Sequence, residues 1–203
     1  MVQAQTLLNA GFEDNLVAAG GFLKPTTGPW TFSNDAGIVR PFAPNSSTGP
    51  LNTWSATFVP IEGQQYASTY AASDMIRQGV VFGAAGNYRI SVYAAAPDGT
   101  LTIPNVGTST LTDGEFSFVL GNLAIGQTIT VPKSSSWNVY NADFTIPSAG
   151  TYDVGVRNTK AAAYFINYDA FSIQSVPEPS LLTLLLPIGL IVARRNASLL
   201  KKS

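Results

Sequence analysis

Apolar and polar residues alternate along most of this chain. Tyr88-Arg89-Ile90-Ser91-Val92-Tyr93, Thr128-Ile129-Thr130-Val131 and Thr151-Tyr152-Asp153-Val154-Gly155-Val156 each send every second side chain to one face, which is the period of a half-buried strand. Residues 164–173 form a longer run rich in aromatic and β-branched side chains. Turn-forming clusters cut these runs short: Ala85-Gly86-Asn87, Pro97-Asp98-Gly99, Asp113-Gly114 and Pro147-Ser148-Ala149-Gly150. Strands at this spacing predict an all-β fold, a single β-sandwich or jelly roll over residues 6–175. Residues 34–60, rich in Pro, Ser, Thr and Asn, predict long loops with short strands. No helical period of any length precedes Ser180.

The pattern changes at the C-terminus. Residues 176–203 open with Val176-Pro177-Glu178-Pro179-Ser180, continue with an apolar run over 181–193, and reach Arg194-Arg195. Neither proline can sit inside a helix, and each pushes its predecessor into extended geometry. A hydrophobic helix is therefore predicted over 181–193, with Ser180 as its N-cap. At 13 residues the run rises about 20 Å, against about 30 Å for the hydrocarbon core of a bilayer. Length alone favours a buried helix, whereas the all-round apolarity and the flanking Pro and Arg favour a membrane segment. The basic pair would then stay on the cytoplasmic side, with residues 1–176 outside. This order resembles the PEP-CTERM sorting signal, carried by Pro177, Glu178, Pro179, the apolar run, Arg194 and Arg195. The resemblance implies export to the surface or matrix of a Gram-negative-type bacterium, transient anchoring by the helix, and an exosortase-type partner that processes the tail. Val2 and Ala4 fit the small residues before a signal-peptidase cut, so residues 1–5 are expected to be the remnant of an export signal.

Charge narrows the partners. All 12 acidic residues but only 7 of the 11 basic ones precede Ser180, which leaves residues 1–179 at −5. A mildly acidic domain with 11% charged residues suits neutral, hydroxyl-rich ligands and argues against nucleic acid. The chain has no Cys and no His. Disulfides, Cys–His or Ser–His nucleophiles and the usual zinc sites are excluded. Carboxylates, hydroxyls and oxygen-bound hard cations remain.

Leu7-Leu8-Asn9-Ala10-Gly11-Phe12-Glu13-Asp14, followed by Trp30, resembles the opening strand of galactose-binding-like carbohydrate-binding jelly rolls. Residues 65–90 and the end, Tyr168-Asp169-Ala170-Phe171-Ser172-Ile173, are similar in order. The resemblance implies that first and last strands are neighbours, with a structural Ca2+ held between carboxylates, here Glu13 and Asp169. In an ideal strand Asp169 shares a face with Phe171 and Ile173; a carboxylate there needs a cation, a hydroxyl or a backbone N–H, unless a bulge turns it out of the apolar face. Trp30 is expected in the core. Trp54, Trp137 and Tyr140, with Tyr66 and Tyr70 behind them, are the candidates for stacking on a sugar ring, since Trp54 and Trp137 stand in polar, loop-like stretches.

Three functions are consistent with these residues. The first is a non-catalytic surface or matrix protein that binds exopolysaccharide. The second is a structural or adhesive domain without a sugar site. The third, a glycosidase using two carboxylates, is least supported, because no acid pair stands out by context.

Overall fold

The computed structural model describes residues 4–41, 58–103, 107–134, 136–160 and 165–177. Fourteen strands carry the fold among them. They are β1 (Ala4–Gln5), β2 (Phe22–Leu23), β3 (Trp30–Ser33), β4 (Gly37–Val39), β5 (Tyr66–Thr69), β6 (Met75–Phe82) and β7 (Gly86–Ala95). After these come β8 (Thr100–Ile103), β9 (Gly107–Thr110), β10 (Gly114–Leu120), β11 (Leu123–Val131), β12 (Asn138–Ile146), β13 (Gly150–Asn158) and β14 (Ile166–Ser175). The predicted C-terminal helix, Trp54, Glu178, Pro179, Arg194 and Arg195 all lie outside the described residues.

The strands form an antiparallel sandwich. The larger sheet runs β12-β7-β14-β5-β4-β2, and the smaller runs β11-β10-β13-β6-β3, with β8 and β9 as a separate hairpin. β14 gives one edge to β7 and shares the other between β5 and β1. First and last strands are thus neighbours, and Ala4 and Gln5 belong to the sheet. Alternation built the core: Ile76, Val80 and Phe82 of β6, Ile90 and Val92 of β7, and Val154 and Val156 of β13 are all buried between the sheets. Phe12, Trp30 and Phe171 close one end of it, with ring centroids 4.9–5.8 Å apart. Each such side chain contributes about 1.5–3 kcal/mol of burial.

One local expectation is corrected, and the alternative left open for Asp169 is decided. The stretch around Asn9 and Phe12 is a series of turns, and the opening strand lies just before it. Asn9 (φ 51°) and Phe12 (φ 65°) both have left-handed backbone, which a regular strand does not accommodate. The turn closes through Phe12 N–H donating to Asn9 C=O at 3.0 Å, and Trp30 Nε1 donates to the same carbonyl at 2.8 Å. Asp169, in turn, does not share a face with Phe171. The β14 register advances from Asp169↔Tyr93 to Ser172↔Ser91, so one extra residue is inserted. Ala170 (φ 49°) is the residue of this bulge. The bulge resets parity: Phe171 and Ile173 enter the core, and Asp169 falls on the opposite face with Asn167.

Candidate functional site

That opposite face is where the unusual chemistry collects. Ile38, Ala67 and Ala94 belong to the main core, whereas their chain neighbours Val39, Tyr66 and Ala95 form a second apolar cluster with Phe58 and Leu111. Successive strand residues point to opposite faces, so the second cluster covers the outer face of the larger sheet. Tyr70, Trp137 and Phe165 pack on it.

Polar groups are buried in this cover. Ser68 pairs across with Asn167, which pairs in turn with Ala95, and Asp169 pairs with Tyr93. Tyr66, Asn167 and Asp169 are fully buried, and Ser68 nearly so. Tyr66 Oη, Ser68 Oγ and both polar atoms of the Asn167 side chain lack a hydrogen-bond partner among the described residues. A buried polar atom left unpaired costs about 1–3 kcal/mol, and such groups are rare in native folds, which sets these apart.

Asp169 is satisfied differently. Its Oδ2 accepts from the backbone N–H of Ile61 at 2.7 Å and of Glu62 at 3.1 Å. Its Oδ1 accepts from Ala170 N–H at 2.8 Å, which pairs the donor that the bulge frees. Burial pushes the Asp169 carboxyl up to about 7 in spite of these three bonds, and the charge of Glu62 adds to the push. Burial and, after it, the charge of Asp169 raise the Tyr66 phenol above its ordinary value. Glu13 Oε1 accepts from the N–H groups of Gln64 at 2.9 Å and Gln65 at 3.0 Å. Both sequence-derived metal candidates thus hold the segment 58–65 by its main chain. Backbone N–H groups supply the partner that the sequence left open for Asp169. A calcium ion here would have to replace N–H donors by oxygens, and no group of three or more acidic side chains is arranged for a metal among the described residues.

The three aromatic candidates fall in three places. Trp137 is half-buried on the outer face, its ring edge-on to Phe58 at 5.4 Å and Tyr66 at 5.6 Å. Its Nε1 donates to Val59 C=O at 2.8 Å. Tyr140 lies on the core-facing side of β12, edge-on to Phe116 at 5.8 Å, and partial burial raises its phenol. Trp54 is outside the described residues.

Beyond the aromatic cover the outer face is open and polar. Asn141, Ser91 and Ser172 form one cross-strand row, and Asp143, Arg89 and Gln174 form the next. Arg89 and Asp143 neutralise each other through a bidentate pair at 2.6 and 2.8 Å. Thr145 Oγ1 donates to Asn87 Oδ1 at 2.7 Å close to Val176, where the chain leaves the sheet. The result is a band of amides and hydroxyls with no net charge.

Solved structures share this sandwich. The Stig cyclase Fisc from Fischerella sp. TAU, in complex with (3Z)-3-(1-methyl-2-pyrrolidinylidene)-3H-indole, superposes at a TM-score of 0.60 with 12% identity, covering 88% of this chain and 100% of that one. A cyclase from the same source, in complex with 4-(1H-indol-3-yl)butan-2-one, gives 0.57 with 13% identity, 88% and 100%. A family 61 carbohydrate-binding module in complex with β-1,4-galactotriose gives 0.48 with 15% identity, 85% and 99%. At these identities the likeness to the two cyclases is one of fold alone. Neither a protein-family model nor a curated protein matches this chain.

The sequence points to Trp137, Glu13 and Asp169, with Tyr66 and Tyr70 as secondary aromatics; it does not single out Ser68, Asn167, Phe58 or Glu62. A signal for Asn167 existed, because Ile166-Asn167-Tyr168-Asp169 alternates cleanly. The extra residue at Ala170 puts that alternation out of phase with Phe171 and Ile173.

Proposed function

We propose that this domain is a non-catalytic binding module for a neutral, hydroxyl-rich polysaccharide, held on the outer face of the larger sheet. The observation that carries this is the set of neutral, partnerless polar atoms of Tyr66, Ser68 and Asn167 beside the half-exposed ring of Trp137. Sugar hydroxyls both donate and accept, so one ligand class satisfies a phenol, a hydroxyl and an amide together. The C–H face of a sugar ring packs on an aromatic plane, and the uncharged band beyond suits the rest of an extended chain.

The test is titration calorimetry against the host's own purified exopolysaccharide. The expected dissociation constant lies between about micromolar and millimolar, or about −8 to −4 kcal/mol. Trp137→Ala should lose at least about 1 kcal/mol of this. Asn167→Leu is the sharper variant. It removes two unpaired polar atoms, so the free domain should become more stable by about 1 kcal/mol or more while binding disappears. Circular dichroism melts must accompany the titrations. No heat in calorimetry and no retardation in affinity gels would leave the structural or adhesive role. The glycosidase alternative has one observation in its favour, the buried Asp169 held near neutral pKa. Reducing ends released from that polysaccharide, and lost in Asp169→Asn, would put catalysis in place of binding.

The export and sorting reading is kept as part of this proposal. It is supported by the order of residues after Val176 and by an exposed Pro177 beyond the last strand. In a host with an exosortase, the surface form should lack most of residues 180–203, and converting Arg194 and Arg195 to Gln should weaken retention. Intact-mass spectra with the whole tail present on surface protein would remove it.

A further inference from the structure

Residues 58–64 form neither strand nor helix, yet they lie over Asp169 and Tyr66 on the outer face. Side chains from distant elements hold them there. Asp169 takes the N–H groups of Ile61 and Glu62, Glu13 takes that of Gln64, and Trp137 donates to the carbonyl of Val59. Arg40 adds a bond to the Gln64 side chain. Phe58 anchors the near end in the second apolar cluster, but beyond it apolar anchoring is slight: Val59 is 73% exposed and Ile61 41%.

The far end is fixed. The Gln65 side chain is buried and fully used, accepting from Val17 N–H and donating to the carbonyls of Phe12 and Asn15. Just before it stands Gly63, with φ +65°, a natural pivot. Glu13 packs so closely there that a Cβ on Gly63 would sit 2.2 Å from the Glu13 carboxyl carbon. The same fit recurs at Gly11, where a Cβ would meet the Glu62 Cβ at 2.9 Å. Two bare glycines thus receive the carboxylate-bearing side chains at the fastenings. Beneath, Tyr66 Oη waits buried without a partner.

We propose that residues 58–64 are a gate over the ligand site, swinging about Gly63 and the fixed Gln65, with Glu13 and Asp169 as the fastenings that set how often it opens. Segments held by few apolar contacts and by hydrogen bonds to side chains open locally, below the cost of global unfolding. The inference rests on the binding reading for what is admitted, a neutral polar ligand, and stands apart from it for the motion.

The motion is tested without any sugar. N-acetylimidazole, a neutral reagent, acetylates exposed tyrosine hydroxyls, and peptide mass spectra locate the product. Tyr66 should resist in the wild-type chain and react at least fivefold faster in Glu13→Ala. Tyr168, buried in the core, should resist in both. Amide exchange on the unaltered protein gives a second measure: Ile61, Glu62 and Gln64 should exchange at least tenfold faster than the amides of β13. Equal Tyr66 rates in the two chains, a Tyr66 gain matched by Tyr168, or amides at 61–64 as slow as those of β13 would overturn the gate. Failure of calorimetry with polysaccharide would overturn the ligand and not the motion.

Discussion

The domain is expected to lose stability as pH rises from about 4 to about 8, by up to roughly 4 kcal/mol, through Asp169 alone. The sign follows from the direction of the shift. Burial raises the folded-state carboxyl from 3.8 to about 7, so the native protein holds this proton where the unfolded chain has released it. The stabilisation is full below the unfolded value and is lost as pH passes through the folded one. Urea denaturation at stepped pH should show this slope, and Asp169→Asn should flatten it. Glu62→Gln should move the transition to lower pH, because the Glu62 charge helps to hold the proton on. A wild-type profile without slope across this window would refute the assignment. The same experiment decides on calcium. An ion at Glu13 and Asp169 would hold the carboxylate ionised, reverse the slope, and raise the melting temperature until chelator is added.

Gly155→Ala should prevent stable folding, a loss above about 4 kcal/mol. A Cβ on Gly155 would lie 1.9 Å from the Ile76 carbonyl oxygen and 2.9 Å from the Arg77 Cα. Both are backbone atoms of β6, paired with β13 in the centre of the smaller sheet, and neither can turn away. Val154 and Val156 on either side are fully buried, so the strand cannot shift without opening the core. Gly79→Ala is the control. Its Cβ would meet nothing nearer than the Thr151 Cγ2 at 3.5 Å, an ordinary contact, and the variant should fold. Equal melting temperatures for the two would mean that the sheets meet differently at Gly155.

The alternation in 88–93, 128–131 and 151–156 determined three strands, and the Gly- and Pro-bearing turns determined where they stop. Period and punctuation are local properties, so the all-β sandwich was legible without coordinates. The partial exposure of Trp137 followed from its polar local context, and Trp30 as core from its position after the opening motif. The acidic, charge-poor composition determined the kind of ligand worth considering, since net charge sums over residues whatever the fold. Three things required the tertiary structure. One extra residue at Ala170 moved Asp169 to the outer face, and a bulge leaves no mark in a pattern of period two. Left-handed backbone at Asn9 and Phe12 made a plug of what resembled a strand. Finally, Tyr66, Ser68 and the segment 58–64 met Trp137 and Asn167 from three distant parts of the chain. Ordinary polar residues of that kind are unremarkable one by one, and only strand pairing decides that they are buried together without partners.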